Sequence, residues 1–533
     1  MAGPGEFEIQ LGHLCNDRCV FCKSGRLTHA GQAPVLAFET LAASIRDAYA
    51  KGHRRLTFVG GEPTIQPAFL ELLRLSVSLG FENIVIFSNG SKAGRSDLVD
   101  RVLAAGGPVE WRFSVQGATR EAHEATTGRK GGFAQVLRAL SRVRARGQRA
   151  TVNVCLVRQN CDSVDRFAEL LMPLGVSQVH VDVVNPDDTG AERHELPEMM
   201  PRHADVAPAL ERMVRAFPEG FDVSIGSLPF CVAPALAPWI HHDHHPMWTA
   251  CANDGAPVLK PVRFLARTNR KLKPERCGSC VFDERCTGVF GAYAERFGTD
   301  ELRPVTLEQL AGLPTYRRLV ALHLRAWLRS GLTDLAPWVA RVDVEELNLR
   351  EVILTIVARD GGELRVLLSD RRAGAVAASE GCALRVQSRT VERDAALEVL
   401  RELWSRLERS GMRTLVPPGE DALQSIHPSV VARLQRLRDR APFGALTWTA
   451  TRVLEGGHRV EVTLRAPAGD VATVWLAVAR SSRRPKASGG YRVEPGSPSA
   501  ALVEGLREVL GALGRGGDRA EPAAGGPRPS VSS

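Results

Sequence analysis

Apolar positions alternate with polar ones, or gather in short β-branched runs, at six places in the first third of the chain: Phe7–Leu11, Arg55–Val59, Ile84–Ser88, Glu110–Val115, Ala150–Leu156 and Gln178–Val184. Between them the apolar spacing widens to three and four over Phe38–Lys51, Ala68–Ser78, Ser96–Ala105, Phe133–Arg146 and Ser163–Leu171, the period of a helix with one buried face. Strand–helix units repeated in this way predict an α/β fold with parallel strands joined by right-handed crossovers. Six units suit a doubly wound sheet or a curved, barrel-like one, and both put ligands at the carboxyl ends of the strands. Cys15–Cys22, Gly60–Pro63 and Ser88–Gly90 each come directly after a strand, so they are expected at one mouth.

From about Pro229 the alternation stops and Pro, His and Cys enter. Tyr316–Leu328, just after Pro314, has helical spacing. Further on, the strand-like runs Glu351–Ala358, Leu364–Ser369 and Gly374–Ser379 precede a helix at Asp394–Glu408. After a shift of about 95 residues the order recurs, with Ala445–Leu454, Arg459–Arg465 and Val471–Ala479 before a helix at Ala500–Leu513. Asp360-Gly361-Gly362 and Glu455-Gly456-Gly457 fall at matching turns, so a degenerate duplication is expected. Residues 514–533 are rich in Gly, Pro, Ser and Ala and read as a disordered tail.

The chain has 533 residues, more than one ordinary core holds, and two or three domains are expected. At 44% hydrophobic and 24% charged it is neither a disordered nor a collagen-like sequence. A net charge of +9 over this length permits an anionic partner without requiring one. Arg433–Arg440 reads as a solvated helical face, since no aromatic residues interleave with its cations, and nucleic acid is not expected as a partner. No apolar run reaches the roughly 18 residues of a membrane span. The start, MAGPGEFEIQ, lacks the basic and apolar regions of a signal peptide, which makes the cytoplasm the expected compartment.

In a reducing compartment grouped cysteines suggest metal or redox chemistry. Of eleven cysteines, Cys15, Cys19 and Cys22 form one group and Cys277, Cys280 and Cys286 another, with Cys231 and Cys251 between them. Three thiolates within eight residues fit a loop folded around one polymetallic centre, in which one metal has no protein ligand and stays open. A zinc site that borrows a distant fourth ligand is the other reading. Cys155, in a strand, reads as a small core residue; Cys161 and Cys382 carry no motif.

Cys15-Asn-Asp-Arg-Cys19-Val-Phe-Cys22 resembles the CxxxCxΦC signature of the radical S-adenosylmethionine (radical SAM) superfamily, with Phe21 as the aromatic. Gly60-Gly61-Glu62-Pro63 resembles that family's GGEP motif, where two small residues bring the backbone close to a ligand. Ser88-Asn89-Gly90 is similar to its ribose-side turn, and Ser114 and Asn153 fall where relatives contact the methionyl carboxylate or the ribose. The resemblance spans about residues 5–225 and implies a partial (β/α)6 TIM-like barrel core. It also implies a [4Fe–4S] cluster on Cys15, Cys19 and Cys22, with S-adenosylmethionine seated by Phe21, Gly60, Gly61, Glu62, Pro63, Ser88, Asn89, Ser114 and Asn153. In that family the cluster's open iron chelates S-adenosylmethionine, and reductive cleavage yields a 5′-deoxyadenosyl radical that abstracts hydrogen from a substrate.

Cys277-Gly-Ser-Cys280-Val-Phe-Asp-Glu-Arg-Cys286-Thr-Gly288 resembles the auxiliary-cluster region of the SPASM and twitch subgroups. The resemblance implies a second, auxiliary [4Fe–4S] cluster on Cys231, Cys277, Cys280 and Cys286, with Cys251 as the rival fourth ligand; tetrahedral zinc is the alternative occupant. His241-His242-Asp243-His244-His245 has no partner motif and reads as a solvated loop. Thr126-Thr-Gly-Arg-Lys-Gly-Gly132 lacks the Lys-Ser/Thr ending of a phosphate loop and reads as a plain connection. The expected domains are 1–225 (core), 226–308 (auxiliary-cluster region), 309–345 (helical connector), 346–513 (duplicated α+β domain) and 514–533 (tail).

The resemblance points to a radical SAM oxidoreductase or peptide maturase, its substrate a ribosomally made peptide and its electron donor of the flavodoxin or ferredoxin kind. A small metabolite or RNA is the alternative substrate. A non-catalytic, metal-stabilised scaffold is the alternative to an enzyme, and it requires zinc at both cysteine groups.

Overall fold

The computed structural model describes residues 5–186, 195, 199–218, 221–242, 248–251, 258–261, 271–330, 332, 334–370, 383–409, 430, 433–434, 437, 443–478, 487–494 and 498–513. The chain divides into two compact units, Met1–Leu313 and Pro314–Ser533.

The first unit is built on one large sheet. Strands β1 (Phe7–Gln10), β2 (Arg55–Val59), β3 (Asn83–Ser88), β4 (Val109–Ser114), β5 (Ala150–Leu156), β6 (Gln178–Val183), β7 (Asp222–Gly226) and β8 (Ile240–His241) lie side by side in chain order, each parallel to the next. Crossover helices join them, among them α1 (Lys23–His29), α2 (Phe38–Ala50), α3 (Phe69–Leu79), α4 (Leu98–Ala105), α5 (Arg120–Thr127), α6 (Gly132–Ala145), α7 (Phe167–Leu171) and α8 (His203–Ala216). This is a partial TIM-like core. Beyond β1 the sheet gains β9 (Trp248–Cys251), parallel to it, and β10 (Val258–Pro261), antiparallel to β9. Two short strands, β11 (Lys271–Leu272) and β12 (Val289–Phe290), pair antiparallel on either side of the second cysteine group.

Alternation along the strands sorts side chains between two faces. On β6, Val179, Val181 and Val183 are buried while His180 and Asp182 point to the other face; on β5, Val152 and Val154 are buried while Asn153 and Cys155 share the face of His180 and Asp182. Ser114 stands directly opposite Asn153 on that same face.

The parallel order runs to eight strands rather than six: α8 and β7 lie before Pro229, where no further unit was expected, and only the two-residue β8 lies beyond it. Helix α8 buries Val206, Ala207, Leu210, Met213 and Val214 at helical spacing with Pro208 inside it, and β7 carries its apolar face on Val223 and Ile225 alone.

In the second unit, β13 (Val339–Asn348), β14 (Glu351–Ala358), β15 (Glu363–Ser369) and β16 (Ala383–Arg389) form an antiparallel sheet with a helix, Arg393–Arg409, after it. β17 (Thr447–Leu454), β18 (Arg459–Arg465), β19 (Val471–Val478) and β20 (Ala487–Val493) repeat the plan before a helix at Ala500–Leu513. The second and third strands start at Glu351 and Glu363 in one copy and at Arg459 and Val471 in the other, 108 residues apart, not 95. The Gly-Gly turns therefore do not correspond: Asp360–Gly362 joins the second and third strands of its sheet, Glu455–Gly457 the first and second of its own. Three strands of this unit were not expected, β16, β20 and β13, the last of which begins inside the expected helical connector. Its exposed Arg341, Asp343 and Glu345 gave it the look of a linker. The expected strand Gly374–Ser379 and the tail 514–533 lie outside the described residues.

Candidate functional site

The three-cysteine loop leaves the carboxyl end of β1 and is held by the Gly60–Pro63 turn at the end of β2. Gly61 N donates to Gly12 O (2.8 Å) and Glu62 N to Leu14 O (2.9 Å). A Cβ on Gly60, whose φ is +146°, would stand 2.7 Å from Gly12 O, and one on Gly61 would stand 2.5 Å from His13 O. The glycine pair thus lets one backbone lie against another: its close approach is to the lead-in of the cysteine loop, and the Gly61 N–H serves that loop rather than a ligand. From the other side, α1 closes on the loop. Cys15 N donates to Thr28 Oγ1 (3.0 Å), Thr28 Oγ1 to His13 O (2.9 Å), and His13 Nδ1 hydrogen-bonds Ser24 Oγ (2.9 Å).

Glu62 joins the ends of β2 and β3. Its buried carboxylate accepts from Ser88 Oγ (2.8 Å), Asn89 N (2.6 Å), Thr64 N (3.1 Å) and Thr64 Oγ1 (2.5 Å). Burial raises its pKa, and these hydrogen bonds pull it back. Asn89 Nδ2 in turn donates to Asn16 Oδ1 (2.9 Å), and Asn16 Nδ2 to Ser91 Oγ (2.8 Å), inside the cysteine loop's own network. Gly60, Gly61, Glu62, Pro63, Ser88 and Asn89 are thereby brought to Cys15–Cys22. Ser114 and Asn153, one strand apart, are half-buried, and no hydrogen bond links either side chain to another group among the described residues.

Cys15, Cys19 and Cys22 are half-buried free cysteines. Burial raises Cys15 and Cys19 well above the ordinary thiol range, and the negative charge of Asp17, with Glu62 beside Cys15, and then of the neighbouring thiolates adds to it. Thiols so placed ionise when a cation joins them, which is the donor set of an iron–sulfur cluster. Asp17 N already points at Cys15 Sγ (3.4 Å), the kind of N–H···S contact that stabilises cluster sulfur. Cys155 is half-buried and packs on the apolar core described below, as expected of a small core residue, and it bears electrostatically on Cys19.

The second group lines a small pocket walled by Cys231, Cys277, Cys280 and Cys286 with Phe230 and Phe282. Phe230 stacks on Phe282 (4.6 Å) and on His242 (5.1 Å). Burial, with the charge of the other three thiolates, pushes Cys231 up to about 12 and raises Cys277 and Cys286. Val305 N and Gly288 N aim at Cys280 Sγ (3.3 Å) and Cys286 Sγ (3.4 Å). Four thiols lining one pocket are the donor set of a [4Fe–4S] cube or of a tetrahedral metal. Cys251 lies on β9 beside Gln10 of β1; its side chain is outside the described residues.

One apolar core serves both groups. Val157, Val184, Met199, Met200, Val289, Phe290 and Tyr293 are buried together, and Val20 and Phe21 of the first loop pack on it beside Cys231 and Cys277 of the second.

Two constellations escaped the sequence reading. Thr126–Gly132 contacts the cysteine loop: Arg18 N donates to Thr127 O (2.8 Å), Val20 N to Thr126 O (3.0 Å), and Arg129 Nε to Asp17 Oδ1. On β6, His180 Nε2 bonds Asp182 Oδ2 (2.9 Å), and His241 of β8 reaches His180 Nδ1 (3.4 Å). His241 and His242 are therefore not part of a solvated loop; His242 is buried between Thr287 and Leu228 O, and residues 243–245 lie outside the described ones. The alternation of His180 and Asp182 with Val179, Val181 and Val183 was the available signal for the first pair.

A β/α core with a three-thiol loop at the carboxyl ends of its strands defines a cluster-binding class of protein. Residues 9–171 match the radical SAM superfamily, and this part of the chain is a radical SAM domain. The PqqA peptide cyclase of Ruegeria pomeroyi is 31% identical over 176 residues, 33% of this chain and 46% of that protein. The chain thus aligns with less than half the length of that relative. The AdoMet-dependent heme synthase of Methanosarcina barkeri is 25% identical over 319 residues, 53% of this chain and 89% of that protein. The mycofactocin maturase of Mycobacterium ulcerans is 26% identical over 325 residues, 54% and 83%. Among solved structures, Streptococcus suis SuiB bound to S-adenosylmethionine is 14% identical over 57% of this chain and 77% of that one, with a TM-score of 0.41, too slight a likeness to carry an argument.

Proposed function

We propose that the chain is a radical SAM enzyme that modifies a ribosomally made peptide. Cys15, Cys19 and Cys22 hold its first [4Fe–4S] cluster, Cys231, Cys277, Cys280 and Cys286 an auxiliary one. When bound, the first cluster supplies the electron that cleaves S-adenosylmethionine into methionine and a hydrogen-abstracting 5′-deoxyadenosyl radical. The chain's own residues bind, orient and exclude water. Glu62, Ser88 and Asn89 fix the cysteine loop, the ends of β2 and β3 and Pro63 as one rigid wall. Ser114 and Asn153 offer polar side chains to the nucleotide from β4 and β5, and Phe21 anchors the loop in the shared apolar core. The single observation that carries the reading is the three-thiol loop braced at the strand ends.

The name of the Ruegeria relative supports a peptide substrate. A second reading, a small metabolite, draws on the heme synthase, which aligns with a larger part of this chain. An electron donor of the flavodoxin or ferredoxin kind and a cytoplasmic location complete the proposal. Among the described residues no helix is long and apolar enough to cross a membrane.

Anaerobic reconstitution with iron and sulfide tests this. Two cubes per chain and release of 5′-deoxyadenosine on reduction support it; zinc in both sites with no release refutes it. A short synthetic peptide encoded beside this chain's gene is expected to raise that release and to be recovered with an altered mass. If only small metabolites stimulate release, the second reading replaces the first.

A further inference from the structure

Of the two constellations that local sequence patterns do not announce, the α5–α6 turn bears directly on the first cluster. Helix α5 ends at Thr127, so its last carbonyls have no partner within the helix. The cysteine loop supplies partners: the Val20 and Arg18 amides donate to Thr126 O and Thr127 O. Two residues on, Arg129 reaches back. Its Nε donates to Asp17 Oδ1 and its Nη1 to Gln135 Oε1. The Asp17 side chain is 3% exposed and that of Arg129 15%. Asp17 sits midway between Cys15 and Cys19, and its own amide aims at Cys15 Sγ. The stretch 17–20 is thus fastened at three points to a turn more than a hundred residues away in sequence.

A buried carboxylate beside thiolates is unfavourable unless a cation answers it, and the planar Arg129 guanidinium answers it through Nε while Gln135 holds its Nη1 and so fixes its direction. Resting on the reading that Cys15, Cys19 and Cys22 hold a cluster, we infer that Asp17 and Arg129 are positioning residues: a latch that sets the loop so its three sulfurs face one side before iron arrives. Neither side chain is a ligand. Their effect runs through backbone placement and charge balance at the loop.

The test uses the full chain, reconstituted anaerobically with ferrous iron and sulfide, and reads iron and sulfide content together with the EPR signals of the dithionite-reduced protein. Added S-adenosylmethionine shifts only the signal of the first cluster, so each cluster is read separately and the auxiliary one reports folding of the same unit. Arg129→Gln is expected to lose about half the bound iron and most of the S-adenosylmethionine-responsive signal, the auxiliary signal remaining. Arg129→Lys, which keeps charge without the fork, is expected to fall between. Asp17→Asn combined with Arg129→Gln, which leaves no unanswered charge, is expected to recover most of the signal. An Arg129→Gln protein with full iron and an unchanged responsive signal overturns the latch. So does loss of both signals without recovery in the double variant, since the pair then serves the fold at large. A wild-type protein with no responsive signal removes the cluster reading itself, a result distinct from either.

Discussion

The two cysteine groups share an apolar core but are built on different terms. The first is fastened from β2, β3, α1 and the α5–α6 turn, and its own backbone amides and polar side chains are largely engaged in that fastening. It offers three thiols. The second is made of short turns, its rings stacked to form a cavity wall, and it offers four. The contrast teaches how a fold separates two uses of the same donor: three sulfurs on a rigid frame leave a metal position open for a substrate-like ligand, whereas four sulfurs in a pocket can saturate a cube and leave it to electron transfer or support.

The largest expected effect breaks the comparison at its centre. Cys15→Ala is expected to abolish 5′-deoxyadenosine release and the S-adenosylmethionine-responsive EPR signal. Cys277→Ala is expected to remove the auxiliary signal while the responsive one persists. If Cys277→Ala erased both signals and Cys15→Ala neither, the roles assigned to the two groups would be reversed.

Glu62→Ala comes next. It strands the Ser88 hydroxyl, the Asn89 amide and the Thr64 groups in a buried site, an expected loss of roughly 3–5 kcal/mol in unfolding free energy, measured by chemical denaturation. Gly61→Ala is smaller. Its methyl would press on the His13 carbonyl, a backbone atom that moves only with the cysteine loop, so about 1–3 kcal/mol of strain and a weakened responsive signal are expected. Neither change is expected to alter the auxiliary signal, and one that did would mean the two groups are less separately built than their hydrogen bonds imply.

Much of the frame was legible because it is local. Arg55–Val59 and Ala150–Leu156 are dense β-branched runs, and they are strands over those residues. The cysteine spacing and Gly60-Gly61-Glu62-Pro63 are also contiguous, although what the glycines approach was visible only once β1 and β2 were paired. The rest depends on distance in sequence. Arg129 meets Asp17 across 112 positions, and no periodicity announces it. His241 finds His180 only because β7 sets β6 and β8 two strands apart. In the second unit the Gly-Gly turns misled: a turn signal marks that strands reverse but carries no register, so matching two of them slipped the repeat by one strand.

The smallest expected effect probes the core that the two groups share. His203 is fully buried against Tyr293, their rings 3.9 Å apart, and Tyr293 OH donates to Glu301 Oε1 (2.5 Å). Burial, with the charge of Lys271 adding to it, holds the His203 imidazole down at about 3, far below its ordinary 6.5. The folded state therefore keeps it neutral where the unfolded chain takes up a proton. Its contribution is fully present above pH 6.5 and is lost progressively as pH falls toward 3. Between pH 6.5 and 5 that loss is about 2 kcal/mol. His123, held at about 4 by burial and by Arg129, adds a slope of the same sign in the same window. His203→Phe keeps an aromatic ring on Tyr293 and cannot titrate. Unfolding free energies of the two proteins at pH 7 and pH 5 are then expected to differ in slope by the His203 share alone, with the His123 share left in both. Equal slopes would mean that His203 takes up its proton in the folded protein, through entry of water or by pairing with Glu301, whose Oε1 lies 3.6 Å from His203 Nδ1.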